Sequence, residues 1–180
     1  KFTTGKGDAT GFTSEAVAQG CRRIITTGGD GTLNEVVNGV MGNKLCDPRE
    51  ITLALIPVGT GNDWGRMFGI PLDHKKAIEI IAGNKVMLHD AGLVKYMDGA
   101  ESRERYFVNI AGLGFESVVV RRTNIQKDKG RGGKLIYFYN LLVSLLSYRN
   151  TEAEITVDGQ ARKSRIFSLN AGNGRYCGGG

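Results

Sequence analysis

Cysteine and histidine are scarce in this chain. Its three cysteines, Cys21, Cys46 and Cys177, are odd in number, far apart and form no Cys-x-x-Cys pair. That argues against a disulfide framework or a zinc site and fits a reducing compartment. The two histidines, His74 and His89, make no His-Glu-x-x-His pair. No apolar run reaches membrane-spanning length, and no signal peptide opens the chain. Internal repeats and low-complexity runs are absent too. The chain starts at Lys1 without a methionine and ends on Gly178-Gly179-Gly180, so the expectation is a part of a longer protein, cut at both ends.

What is present points to a globular fold. The 180 residues are 41% hydrophobic and 23% charged, enough for one medium domain or two small ones sharing a core interface. A net charge of +6 suits an anionic partner such as a nucleotide, a phospholipid surface or a nucleic acid. Charge alone does not choose among them.

Helix and strand signals alternate through the first half. Asp8 can cap a helix through Phe12, Ala16 and Val17 that stops at Gly20. Arg23 to Thr26 and Ile51 to Ile56 read as short buried strands, the first followed by a helix from Thr32. Pro71 and Asp73 open a helix over Lys75 to Ala82, ended by Gly83-Asn84. Strand–turn–helix units of this kind predict a parallel sheet with helices packed on it. From about Lys85 the pattern changes. Lys85 to Val94 and Arg105 to Ile110 read as strands around Asp98-Gly99, and Asp158-Gly159 marks a hairpin between Glu154–Val157 and Arg165–Leu169. A second, mostly antiparallel domain is therefore expected from residue 88.

The most informative stretch is IITTGGDGTLNEVVNGV, Ile24 to Val40. Leu33, Val36, Val37 and Val40 recur at i, i+3, i+4 and i+7, one helix face, and Thr32 with Glu35 reads as a capping box that starts the helix at Thr32. Gly28, Gly29 and Gly31 then lie between strand end and helix start, where backbone N–H groups and the helix dipole hold phosphate. No Walker GxxxxGK[ST] follows. Asp30 taken alone fits a turn stabiliser and a cation ligand equally, since a carboxylate beside phosphate needs something positive between them, and magnesium supplies it.

ALIPVGTGNDWGRMFGIP, Ala54 to Pro71, repeats the grammar: buried strand, Gly59-Thr60-Gly61, then Asn62 and Asp63. Two such loops at neighbouring strand ends could converge on one site. The glycine spacing departs from the GxGxxG of dinucleotide folds, which lowers a hydride-transfer reading.

GGDGTLNEVVNGV and PVGTGNDWGRMFGIP, in this order and separation, resemble the diacylglycerol kinase catalytic domain of bacterial lipid kinases, a superfamily shared with sphingosine and ceramide kinases. GKGDAT near the start, NIAGLGFES from Asn109 and NAGNGRYCGGG at the end extend the resemblance. It implies ATP- and magnesium-dependent phosphorylation of a lipid hydroxyl. It also implies an α/β ATP-binding domain over residues 1–87 and an incomplete antiparallel β-sandwich lipid domain over residues 88–180, with nucleotide between them. Gly29, Asp30, Gly31, Thr32, Leu33, Asn34 and Glu35 would hold the nucleotide phosphates, with Thr60 and Thr3 as further contacts. Asp30, Asp63 and Asp90 would join a magnesium–water network in catalysis; for Asp90 a hinge-strand cap is the competing role. Beyond the resemblance, Lys127, Lys129, Arg131 and Lys134 are candidates to meet the moving phosphoryl group, against a solvated loop as the plainer role for each. Leu135 to Tyr148, nearly apolar all round, reads chiefly as a buried helix and secondarily as an acyl-chain wall.

The resemblance further implies a cytoplasmic protein peripheral at the inner membrane surface, a lipid alcohol as substrate and a homodimer; no nucleic-acid partner is expected. The family's opening strand and nucleotide loop, its Asp-rich structural magnesium stretch and its lipid-deprotonating carboxylate have no counterpart here, so the general base is expected outside this chain. An NAD kinase-like phosphotransferase would share GGDGT but gives no reason for GTGND. A nucleotide-binding module without catalysis is the other alternative.

Overall fold

The computed structural model describes residues 1–128 and 134–178, the side chains of residues 127, 128 and 134 excepted. These residues gather into two compact units, residues 1–110 with the segment from 172 onward, and residues 111–171. Among the described residues the fold is mixed α/β, with a parallel strand pair and antiparallel ribbons.

In the first unit, β1 (Arg23–Gly28) and β2 (Thr52–Pro57) pair in parallel, from Arg23 opposite Thr52 to Gly28 opposite Pro57. Helix α1 (Asp8–Ala18) packs on α2 (Asp30–Met41), which covers β1, while α4 (His74–Ala82) packs on β2. The α2 face anticipated from spacing is the buried one: Leu33, Val36, Val37 and Val40 are all in the core. Each such side chain contributes about 1.5–3 kcal/mol when fully buried. Leu33 and Val37 join Leu55 and Val108, and Val40 joins Val17 and Ile51. The two helices cross closely because Gly39 faces α1; a Cβ there would lie 2.6 Å from the Cβ of Thr13. Gly20 ends α1 with φ +89, the left-handed geometry expected of that glycine. Asp73 caps α4 by accepting from the N–H groups of Lys75 (2.9 Å) and Lys76 (3.2 Å).

Helix α2 starts at Asp30, two residues before the expected Thr32, and its N-cap, Gly29, makes no side-chain bond. The predicted capping box does not form, because Glu35 is drawn to another helix. The strand predicted over Lys85 to Val94 begins only at Gly92. Residues 85–91 are irregular, and Val86, Met87 and Leu88 are exposed, with no neighbouring strand among the described residues to take their backbone groups. The hairpin itself forms as β3 (Gly92–Asp98) and β4 (Glu101–Phe107), turning at Gly99 with φ +64. Asn38 fastens it to α2: its Nδ2 donates to the Tyr106 carbonyl (2.9 Å) and its Oδ1 accepts from the Tyr106 N–H (2.9 Å).

The second unit holds α5 (Phe115–Asp128), α6 (Lys134–Ser147) and the hairpin β6 (Thr151–Val157) and β7 (Gln160–Ile166). Strand β5 (Ile110–Gly114) pairs with β8 (Ser168–Gly172), and Phe115 stacks on Phe167 at 4.5 Å between ring centroids. Asp158 and Gly159 both take positive φ, 50 and 80, as the Asp-Gly hairpin signal requires. Helix α5 has no counterpart in the sequence expectations.

Helix α6 corrects the expectation of a buried apolar helix. Leu135 and Leu146 are 85% and 89% exposed, whereas Asn140 and Ser144 are 2% and 0% exposed. The polar side chains are used between helices: Asn140 Nδ2 donates to Thr123 Oγ1 (3.3 Å) and to Gln126 Oε1 (2.9 Å).

Candidate functional site

The first glycine loop ends β1 and the second ends β2, so parallel pairing places both at the same sheet edge. There they touch backbone to backbone. The Val58 N–H donates to the Gly28 carbonyl (3.0 Å), and a Cβ on Gly59 would stand 2.5 Å from the Gly29 Cα. The abundance of glycine at this edge therefore has a direct cause: side chains would hold the loops apart. Gly31 differs, since a Cβ there would meet nothing within 4 Å.

Asn62 closes the second loop on itself. It is buried, takes left-handed φ (+53), accepts from the Gly59 N–H (3.0 Å) and donates to the Gly59 carbonyl (2.6 Å). The short helix α3 (Asp63–Met67) follows directly.

Asp30 links the loops. Its Oδ2 accepts from the Asp63 N–H (3.1 Å) and its Oδ1 from the Trp64 N–H (3.0 Å), so a side chain of α2 holds the first turn of α3. A third donor, Asn109 Nδ2, reaches Oδ1 at 3.2 Å. Glu35 plays the matching part for α1, its Oε2 accepting from the Ala9 N–H (3.2 Å). Both acids of GDGTLNE thus stabilise the start of a helix other than their own.

The other expected site residues separate into groups. Leu33 is in the core, and Asn34 is tied to β4 through the Tyr106 carbonyl (3.0 Å) and the Arg105 guanidinium (3.1 Å). Those two side chains are committed to the core and to β4. Gly29, Gly31 and Thr32 form the first turn of α2, whose first internal bond runs from the Leu33 N–H to the Gly29 carbonyl (3.0 Å). Helix geometry leaves the N–H groups ahead of that bond without intrahelical acceptors. Thr60 is exposed at the tip of the second loop, and Thr3 is exposed in the irregular segment before α1. The neighbouring Thr4 is committed to Asp8, whose carboxylate accepts from the Thr4 N–H (2.7 Å), the Thr4 hydroxyl (2.9 Å) and the Gly5 N–H (2.9 Å). These bonds, the Thr4 N–H foremost, hold the Asp8 carboxyl below its ordinary range.

Asp63 is buried, and Asp90 is exposed with its carbonyl accepting from Asn173 Nδ2 (2.6 Å). Among the described residues no group of three or more acidic, histidine or cysteine side chains forms a cluster that could hold a metal. Lys129 and Arg131 lie outside the described residues, as do the side chains of Lys127 and Lys134. Reading the sequence missed Asn62 and Asn109. The first stood in view inside GTGND; the second opens NIAGLGFES, where nothing local announces its long-range partner.

A groove of about 610 Å³ is lined by Lys6, Thr10, Glu35, Tyr96, Arg103 and Arg105 among others. It opens between the start of α1, α2 and the β3–β4 hairpin.

Residues 1–94 match the diacylglycerol kinase catalytic domain. The chain belongs to this family. A diacylglycerol kinase of Bacillus subtilis (strain 168) is 37% identical over 170 residues, covering 92% of this chain and 50% of that protein. A diacylglycerol kinase of Staphylococcus carnosus (strain TM300) is 33% identical, covering 89% of this chain and 48% of its own. A crystal structure of a diacylglycerol kinase from Bacillus anthracis str. Sterne superposes with a TM-score of 0.68 at 28% identity, over 98% of this chain and 53% of that one. This member of the diacylglycerol kinase family thus spans about half the length of the curated relatives it matches.

Proposed function

We propose that the full-length protein is a lipid kinase that transfers the γ-phosphoryl group of ATP to a lipid hydroxyl. The observation that carries this reading is the joined pair of loops. Gly29 against Gly59, with Asp30 bridging to the Asp63 and Trp64 N–H groups, supports one nucleotide platform rather than two separate turns. The open first turn of α2 at Gly31 offers N–H donors to phosphate, and a Cβ there would meet nothing within 4 Å. The groove beside Glu35 and Thr10 has room for the nucleoside.

Asp30 already accepts three N–H bonds, about three of the roughly four acceptor positions a carboxylate has, which leaves one for a water of a hydrated cation. The one open position suits a single contact, which we assign to a water of the hydrated cation, with Asp63 and Asp90 as further proposed members. When bound, the cation neutralises charge on the transferring phosphoryl group. The protein's own share is positioning: α2 directs its N–H groups at the phosphates, and Asp30 keeps the two loops in register. Exposed Thr60 and Thr3 are proposed as hydroxyl contacts to the nucleotide. The general base is assigned to a part of the protein outside these residues.

We further read residues 1–87 as the nucleotide-binding part and residues 88–180 as the start of a β-rich lipid-facing sandwich. The change from parallel pairing in β1–β2 to antiparallel pairing in β3–β4 supports a division there. Membrane contact is proposed through α6. Leu135, Phe138, Tyr139, Leu142, Leu145 and Leu146 fall on one exposed helix face. Polar side chains line the opposite, α5-facing side, and Arg149 is exposed just beyond the helix. A helix pair that is polar between its members and apolar outside suits an anionic bilayer surface. Among the described residues no helix is long and apolar enough to cross a membrane.

The test is phosphorylation by the full-length protein of a panel of lipid alcohols with magnesium and labelled ATP, with NAD as a water-soluble competitor. For the membrane surface, Phe138→Asp with Leu146→Asp is expected to lower co-sedimentation with phosphatidylglycerol–phosphatidylcholine vesicles by roughly tenfold. Unchanged sedimentation would remove α6 from the account.

A further inference from the structure

Asn109 lies between β4 and β5 and joins three segments that are remote in sequence. Its Nδ2 donates to Asp30 Oδ1 at 3.2 Å. Its carbonyl accepts from the N–H groups of Asn173 (2.7 Å) and Gly174 (2.9 Å). Gly174 lies so near that a Cβ on it would be 3.3 Å from the Asn109 Cα. Asn173 in turn donates from Nδ2 to the Asp90 carbonyl at 2.6 Å. The main chain of Asn109 is therefore pinned by the NAGNG turn, and its side chain passes that constraint to Asp30.

The chemistry of the pair is informative. The Asp30 carboxylate turns easily about its terminal bond, whose torsional wells are broad. Trp64 and Asp63 hold one N–H each on opposite oxygens; Asn109 adds the donor that comes from outside the two loops. A lysine or arginine here would orient the carboxylate and cancel its charge as well. Asparagine orients it and leaves the charge available to a cation.

We infer that Asn109 is a positioning residue, which acts through Asp30 to align the two nucleotide loops for phosphoryl transfer. The inference rests on the lipid kinase reading. Misplacing reacting groups by about 1 Å costs on the order of 100-fold in rate, so a donor that fixes a loop-bridging carboxylate has a kinetic consequence out of proportion to one hydrogen bond.

The experiment uses the full-length protein, magnesium, ATP and the lipid alcohol it phosphorylates. Asn109→Leu, similar in size and unable to donate, is expected to lower kcat roughly 10- to 100-fold while the KM for ATP stays within about threefold. Asn109→Ala serves in its place if the leucine variant does not fold. In an Asp30→Asn background the same change is expected to alter kcat by less than about threefold, because the effect runs through the carboxylate. Without nucleotide, the Asp63 and Trp64 amides should exchange with deuterium several-fold faster in the variant. A folded variant with wild-type kcat overturns the inference, as does equal loss in both backgrounds or unchanged amide exchange. A wild-type protein that phosphorylates no lipid alcohol overturns the functional reading first, and is recognised because no substitution is involved.

Discussion

Gly29 and Gly59 pass so closely that a Cβ on the first would lie 2.9 Å from the Cα of the second. The obstacle is backbone, which cannot turn aside as a long side chain can. Gly59→Ala is accordingly expected to cost about 1–3 kcal/mol, as overpacking does. Urea denaturation of the full-length protein measures it, and a loss under about 0.5 kcal/mol, the range of an ordinary surface substitution, would show that the loops are not locked together.

Gly31 supplies the opposite case. It is exposed in the first turn of α2 with open space where a Cβ would go. Gly31→Ala should leave stability unchanged or raise it by up to about 1 kcal/mol, since alanine favours helix and restricts the unfolded chain. Nucleotide affinity should fall all the same, because the methyl group stands where phosphate approaches. Calorimetric titration with ATP reads the second effect; unaltered affinity would move the phosphate site elsewhere.

Asn38 holds Tyr106 at both its N–H and its carbonyl, 2.9 Å each. Asn38→Leu leaves the Tyr106 N–H without this partner, while the carbonyl keeps Asn34 Nδ2 (3.0 Å), and one unsatisfied part-buried group costs about 1–3 kcal/mol. Faster deuterium exchange at the Tyr106 amide is the specific readout. Stability equal to wild type would show that water replaces the side chain freely.

Asp8 gives a pH dependence whose sign follows from its bonds. Its folded carboxyl titrates below the ordinary 3.8, held down first by the Thr4 N–H. A depressed carboxyl contributes stability that is present above the unfolded value and lost as pH falls through the folded one. The Thr4 and Gly5 amide resonances should therefore shift with a midpoint below pH 3.8, and Asp8→Asn should abolish that acid-induced shift. A midpoint above 3.8 would contradict the bonding described.

Local features of the chain were legible in proportion to how local their causes are. The α2 face, the Asp73 cap, the Gly20 stop and the Asp158-Gly159 turn each depend on residues a few positions apart. The capping box expected at Thr32 does not form, and Glu35 instead accepts from Ala9, 26 positions away. Lys85 to Leu88 has strand-like composition but no strand beside it among the described residues, and composition cannot report a neighbour. Helix α6 misled for a related reason: apolar content indicated burial, while Asn140 and Ser144 took the protected side. In the candidate site, both loops were visible as glycine and aspartate patterns. Their backbone contact and the bond from Asn109 to Asp30 exist only once the chain is folded.

The most direct test follows the label. Full-length protein is incubated with magnesium, γ-labelled ATP, a panel of lipid alcohols and NAD, and the products are extracted and chromatographed. Label in a phosphorylated lipid, reduced at least tenfold by Gly59→Ala, is the result expected of a positioned phosphoryl transfer. Label in NAD, or in no product at all, would contradict it.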